Sequence, residues 1–279
     1  MKILITGATG FVGKHLIPEL LLRGHELHCV SRSESIAKTM PWYSKVEFHI
    51  LDFNSSPNLV GLFSDMDALV HLAWPGLANF KSTCHMEQSL PESIKFLRAA
   101  IESGLKQVLV SGTCLEYGMN NGRLKEDDCC DPIVPYAIAK DSLRRYLQVL
   151  QNEFEFNLQW VRLFYIYGPY QSQTSLLSQL DEAIDDGEKV FNMSKGDQLR
   201  DFIPIEIASS CIASILENRS FSGTVNCCSG KPTSVRALVE NKLQEREVSL
   251  ELNLGYYPYP DYEPMAFWGS DEKLKSVIG

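Results

Sequence analysis

Tyr136 and Lys140 stand four residues apart behind Pro135. On a helix that spacing puts a phenol and an ammonium on one face. A tyrosine ordinarily titrates near ~10, and a positive charge beside it favours the phenolate, which makes the phenol a better proton donor. The expected chemistry is proton transfer at an oxygen. Thr113, in Ser111-Gly112-Thr113, follows the apolar run Gln107-Val108-Leu109-Val110. A hydroxyl just beyond the carboxyl end of a strand lies where open α/β sheets bind ligands, so Thr113 can donate to a substrate oxygen.

These residues need a frame. Lys2-Ile3-Leu4-Ile5-Thr6 reads as a buried strand that runs into Gly7-Ala8-Thr9-Gly10-Phe11-Val12-Gly13, and Leu16, Leu20, Leu21 and Leu22 continue at helical spacing. Strand, glycine turn and helix is the context of a dinucleotide site. Gly7 makes the turn, Gly10 admits a pyrophosphate close to the backbone, Gly13 packs helix on strand, and the helix N-terminus meets the anion. Glu26–Ser31 is a second strand that ends in Ser31-Arg32-Ser33 where an NAD site usually carries a carboxylate for the ribose 2′-hydroxyl. An arginine there suits a 2′-phosphate, so NADPH is expected over NADH.

Val46–Leu51 reads as a third strand delivering Asp52 and Phe53 toward an adenine ring, and Ala68–Leu72 as a fourth delivering Ala73, small enough for close approach, and Trp74, which can wall a pocket. His71 inside that apolar strand reads as core. Leu90, Ile94, Leu97 and Ile101 give a helix over 87–104 a packing stripe. Leu158–Val161 is a sixth strand, after which strand and helix stop alternating cleanly. The expectation is an α/β fold: a Rossmann-type doubly wound parallel sheet with a smaller C-terminal substrate-binding lobe. Residues 1–164 plus roughly 198–226 would form the NAD(P)-binding domain, and roughly 165–197 and 227–279 the lobe.

In the second half of the chain, Arg200 before Asp201-Phe202 is a candidate bidentate partner for a diphosphate, or a surface pair with Asp201. The aromatic run Tyr256–Tyr262 and Phe267-Trp268 could stack on a base or pack a core. Glu126, Asp127, Asp128 and Asp131 read as a solvated loop.

A net charge of −9 over 279 residues argues against a nucleic-acid surface. No apolar run reaches the ~18 residues of a membrane span, and Met1–Thr6 is too short for a signal peptide. A cytoplasmic protein without membrane insertion is expected. The eight cysteines form no C-x-x-C pair and the six histidines have no ligand spacing, so free thiols and no metal are expected.

With Gly7, Gly10 and Gly13, Thr113 before Tyr117-Gly118, Tyr136 and Lys140, Arg162 before Tyr167-Gly168-Pro169, and Arg200-Asp201-Phe202 all in order, the sequence closely resembles the extended short-chain dehydrogenase/reductase family. Within it the chain resembles the nucleotide-sugar epimerases, dehydratases and 4-ketoreductases over nearly its whole length. The resemblance implies that Tyr136 is the acid/base, Lys140 its partner and a nicotinamide-ribose ligand, and Thr113 the polarising hydroxyl. It implies cofactor contacts along the glycine turn, Thr9, Phe11 and Val12 included, and at Ser31, Arg32, Asp52, Phe53, Leu72, Ala73, Trp74, Ser111 and Phe164. Thr113, Tyr165 and Arg200 would touch a nucleotide-diphosphate sugar. A homodimer through the helices over 87–104 and 136–153 is also what the resemblance implies.

Departures narrow the choice. Related 4,6-dehydratases carry Asp-Glu after the threonine, where this sequence has Cys114-Leu115, so dehydration is not expected. Tyr165 stands where epimerases and dehydratases often have Asn. The sequence stops at Val277-Ile278-Gly279, short of the final helix usual in the family. The expected reaction is NADPH-dependent reduction of the C4 keto group of a nucleotide-activated 4-keto-6-deoxyhexose, of the dTDP type, for surface-polysaccharide synthesis. An NAD-dependent 4-epimerase is the first alternative, and a non-catalytic NAD(P)-binding scaffold the second.

Overall fold

The computed structural model describes residues 1–53 and 60–279. Strands β1 (Lys2–Thr6), β2 (Glu26–Ser31), β3 (Glu47–Ile50), β4 (Ala68–His71) and β5 (Gln107–Thr113) belong to one sheet. Beyond the short β6 (Gly122–Leu124), that sheet also takes in β7 (Asn157–Leu163) and, after the lobe strands, β11 (Gly223–Cys227). Its order is β11-β7-β5-β4-β1-β2-β3, and every pairing is parallel. The near-continuous apolar runs of β1, β4 and β5 follow from this, because a parallel sheet covered on both faces buries successive side chains alike.

Helices α1 (Phe11–Leu22) and α7 (Ile205–Glu217) cover one face, where Ile3, Ile5, Leu16, Ile17, Leu20 and Ile212 form a core. The other face lies under α4 (Leu90–Glu102) and α5 (Pro135–Leu150), with Leu4, Leu69, Val108, Phe96, Leu143 and Leu147 between them. Helices α2 (Glu34–Ala37) and α3 (Val60–Phe63) are single turns. Pro135 opens α5 at a position whose missing N–H costs nothing. A π-helical turn, His85–Ser89, leads into α4, so the α-helical part begins later than the spacing predicts.

The remaining strands are β8 (Tyr165–Tyr167), β9 (Val190–Met193), β10 (Leu199–Pro204), β12 (Pro232–Ser234), β13 (Glu251–Leu254) and β14 (Phe267–Gly269). They form small sheets ordered β12-β10-β8, β13-β9 and β14-β6. With α6 (Leu176–Asp185) and α8 (Val235–Glu245) some of them enclose a separate core of Leu177, Leu180, Phe191, Met193, Val239 and Leu243. Helix α9 (Glu272–Ile278) follows β14 and buries Leu274 in the core beneath α7. Among the described residues, no helix is long and apolar enough to cross a membrane.

Candidate active site

The switch between β1 and β4 opens the sheet at its carboxyl edge, where such folds hold ligands. A cavity of about 610 Å³ lies there. It is lined by Gly7, Thr9, Gly10, Phe11, Val12 and Gly13, by Ser31 and Arg32 from β2, and by Asp52 and Phe53 beyond β3. Leu72, Ala73 and Trp74 beyond β4, Ser111 and Thr113 of β5, Tyr136 and Lys140 of α5, and Phe164 and Tyr165 complete it. Residues more than a hundred positions apart are therefore gathered on one surface by the strand order.

The glycine turn fits a dinucleotide. Gly7 has φ +74°, and a Cβ there would stand 2.7 Å from the Ala73 nitrogen. A Cβ on Gly13 would come within 2.4 Å of the Gly7 carbonyl oxygen, so only glycine lets α1 pack this closely. The first turn of α1 has no side-chain cap and no acidic residue, which leaves its amides and positive dipole end for an anion. At the end of β2, the Thr9 and Ser31 hydroxyls are 3.1 Å apart, and exposed Arg32 has no ion-pair partner among the described residues.

Tyr136 is held from three sides. Its ring stacks on Phe80 with centroids 5.2 Å apart, meets Trp74 edge-on at 6.1 Å and tilts against His85 at 5.3 Å. Its backbone N–H donates to the Phe80 carbonyl at 3.1 Å. Burial, then the Glu116 carboxylate, push the phenol above its usual range, opposed by a hydrogen bond with the Thr113 side chain.

This corrects the expected acidification. Lys140 donates to the Ser111 carbonyl at 2.8 Å and lies 4.0 Å from the Trp74 ring centroid. Among the described residues no hydrogen bond joins Lys140 to Tyr136. Desolvation dominates because both groups are buried on one helix face; the phenol therefore keeps its proton at neutral pH.

Burial likewise holds Lys140 down to about 7, with the Glu116 carboxylate pulling the other way. The unfolded chain, with an ordinary lysine near ~10.4, keeps a proton that the folded chain has released above 7. Stability of the ligand-free protein should thus rise with pH, by up to ~1.4 kcal/mol per unit between pH 7 and ~8.5, and fall as pH drops through 7. Denaturant melts across that window check this, and Lys140→Met should flatten the slope.

Beneath the cavity floor lies a polar network that the sequence reading did not anticipate. Glu116, fully buried, accepts from the Thr113 backbone N–H at 2.8 Å, from Trp160 Nε1 at 3.0 Å and from Arg162 Nε at 2.8 Å. Arg162 also donates to the Tyr117 hydroxyl at 2.9 Å and to the Glu126 carbonyl at 3.2 Å. The Tyr117 hydroxyl donates to Asn226 Oδ1 at 2.8 Å. Glu126 in turn accepts from the Asn226 backbone N–H, so the acidic loop is partly structural. Thr113 Oγ1 accepts from the Leu115 N–H at 3.3 Å, which fixes the threonine oxygen and leaves its hydrogen to donate.

His71 is core, as expected: its Nδ1 lies 2.9 Å from Thr6 Oγ1, and burial lowers it to about 3. Arg200 stands behind the lining residues. It does not line the cavity; its guanidinium is buried against Glu263, with Nη2 2.9 Å from Oε2, and donates to the Leu199 carbonyl. Asp201 is not its partner, because it accepts from Ser229 and from the Gly230 and Gly269 backbone. Glu263 itself faces the cavity, as do Cys114, Leu115, Gln171, Ser172 and Ser175. Cys114 and Leu115 follow Thr113 directly, whereas Glu263, Gln171, Ser172 and Ser175 carried no spacing signal, because later segments of the chain bring them in. Tyr256 and Tyr257 are exposed and lie outside the cavity, whereas Phe267 packs on Phe164.

A parallel doubly wound sheet with a glycine turn and a tyrosine–lysine helix at its switch point defines a dinucleotide-dependent enzyme of the short-chain dehydrogenase/reductase type. Residues 3–228 match the family model "NAD dependent epimerase/dehydratase family", and the chain belongs to that family. A dTDP-6-deoxy-L-talose 4-dehydrogenase (NAD(+)) of Aggregatibacter actinomycetemcomitans is 30% identical over 271 residues, 97% of this chain and 100% of the relative. An ADP-L-glycero-D-manno-heptose-6-epimerase of Brachyspira hyodysenteriae is 26% identical over 93% of this chain and 85% of its own length. Among solved structures, MoeE5 in complex with UDP-glucose and NAD superimposes with a TM-score of 0.85 at 25% identity, covering 100% of this chain and 92% of MoeE5.

Proposed function

We propose that the protein reduces the C4 carbonyl of a nucleotide-activated 4-keto-6-deoxyhexose of the dTDP type, on the way to a surface-polysaccharide sugar. The observation that carries this is the Tyr136 phenol hydrogen-bonded to the Thr113 side chain, in the cavity that the glycine turn also lines. When bound, the reduced nicotinamide supplies a hydride to the carbonyl carbon. Tyr136 gives its proton to the carbonyl oxygen as negative charge develops there, and Thr113 donates a hydrogen bond to the same oxygen. Lys140, held by the Ser111 carbonyl, stabilises the phenolate left behind. Cys114 and Leu115 offer no carboxylate pair for water loss, and burial pushes the Cys114 thiol up. The relative's printed reaction, a 4-dehydrogenation of a dTDP-6-deoxyhexose, is the reverse of this reduction.

The test is to follow reduced-nicotinamide absorbance while a panel of nucleotide 4-keto sugars is added. Net oxidation with one member supports the reductase. Interconversion of 4-hydroxy sugars without net oxidation would instead establish the 4-epimerase alternative.

NADPH is the proposed donor because Arg32 lines the cavity and Ser31 replaces the usual carboxylate. The relative's printed cofactor, NAD(+), and the NAD in MoeE5 argue the other way, which makes the preference worth measuring. Arg32→Ala should shift the NADPH-to-NADH ratio of kcat/KM about tenfold toward NADH, the loss of ~1.4 kcal/mol expected for one charge-assisted contact at the rim. An unchanged ratio would remove the 2′-phosphate reading and leave the reduction itself standing.

A further inference from the structure

Two clusters outside the cavity bring ligand-type side chains together among the described residues. Glu116, Cys130 and Asp141 form one, but guanidinium groups of Arg162, Arg144 and Arg145 already occupy its oxygens. The other is His28 on β2 with Glu47 and His49 on β3, at the edge of the large sheet.

We propose that His28, Glu47 and His49 form a binding site for a divalent transition cation of the zinc class. His28 sits directly opposite Glu47 in the parallel register, and Glu47 and His49 share a face because strand side chains alternate. His28 Nδ1 and His49 Nε2 are 3.2 Å apart, with the rings stacked at 11°. Glu47 places one oxygen 3.6 Å from His28 Nδ1 and the other 3.7 Å from His49 Nε2. Two ligands held at ~2.1 Å by one tetrahedral ion lie ~3.4 Å from each other. All three separations fall near that edge length.

His28 Nε2 lies 3.4 Å from Glu26 Oε1, so with an ion at Nδ1 this carboxylate would accept the remaining Nε2–H. A carboxylate holding the far nitrogen of a histidine is the usual support of an imidazole ligand. Glu26 is itself steadied by Lys2, 3.4 Å away. Imidazole nitrogens select the zinc-class ions over magnesium or calcium, and three protein ligands leave a fourth position open.

The ion would clip β3, which among the described residues pairs only with β2, to the rest of the sheet. Sequence spacing gave no hint of this, since parallel pairing, not a helix or loop motif, joins positions 28 and 49. The site lies N-terminal, on the same two strands, to the Ser31 and Asp52 that line the cavity, and it is independent of the proposed reduction.

Isothermal titration of the full chain with Zn²⁺, and the visible spectrum with Co²⁺, test it. The expected result is one saturable equivalent, intense four-coordinate Co²⁺ bands and a rise in Tm with metal concentration. His49→Gln and Glu47→Gln change half-exposed or exposed side chains and should fold, yet each should weaken the equivalent roughly tenfold or more. Exposed Cys129 could also take up zinc, so Cys129→Ser serves as the control that should leave binding unchanged. Absence of saturable binding, or equal affinity in wild type, His49→Gln and Glu47→Gln, overturns the site.

Discussion

Tyr136→Phe is expected to lower kcat by roughly 10²–10⁴ while leaving KM for the keto sugar close to wild type, the loss typical of a general acid. The substitution removes only the hydroxyl. The ring contacts with Phe80, Trp74 and His85 and the backbone bond to Phe80 are kept, so the fold and cavity shape should survive. Because burial holds the phenol above its usual range, loss of its proton should not limit the wild-type rate at neutral pH. Steady-state kinetics with an accepted keto sugar, supported by a melting curve, give the answer. A folded Phe variant that reduces the sugar at the wild-type rate would mean the proton comes from elsewhere, and the assigned role of Tyr136 would fail.

Arg162→Met is the second large effect, and it acts on the fold. Arg162 is 1% exposed and its partner Glu116 0%, so the substitution strands a buried carboxylate that retains only the Thr113 N–H, Trp160 Nε1 and the more distant Arg144, 3.7 Å away. Breaking such a pair from one side costs about 3–5 kcal/mol, which for a chain of this size lowers Tm by roughly 6–15 °C. The double variant Glu116→Leu with Arg162→Met should recover part of the loss, because the stranded charge is gone. Chemical denaturation of both would show it. A loss under about 1 kcal/mol in Arg162→Met would mean that water reaches the carboxylate and that the network is not sealed. Since Glu116 also holds the Thr113 backbone, the single variant should disturb the cavity floor as well as stability.

Local pattern made much of this legible. The apolar runs of β1, β4 and β5 read as covered strands, and the glycines at 7 and 13 demanded a tight turn and a close helix–strand contact that the Cβ distances bear out. Tyr136, Lys140 and Thr113 declared themselves by residue type and by position after Pro135 and after a strand. The partner of Arg200 was not legible, because sequence cannot show Glu263, sixty-three positions later in the chain, meeting it. The buried pair Glu116–Arg162 and the His28–Glu47–His49 cluster were likewise invisible, being products of strand pairing across long separations.

The electrostatics of the site were decided in space. From spacing alone, an ammonium one helical turn away should acidify a phenol; in the folded chain the same helix face is sealed by Trp74, Phe80 and the sheet, and desolvation outweighs the charge. By itself the sequence determined which groups are present, which elements carry them and that the first turn is built on glycine. Only the tertiary structure decided which charges are paired, which are dry and which face the cavity. Pairing and dielectric depend on neighbours that the order β11-β7-β5-β4-β1-β2-β3 brings together from distant parts of the chain.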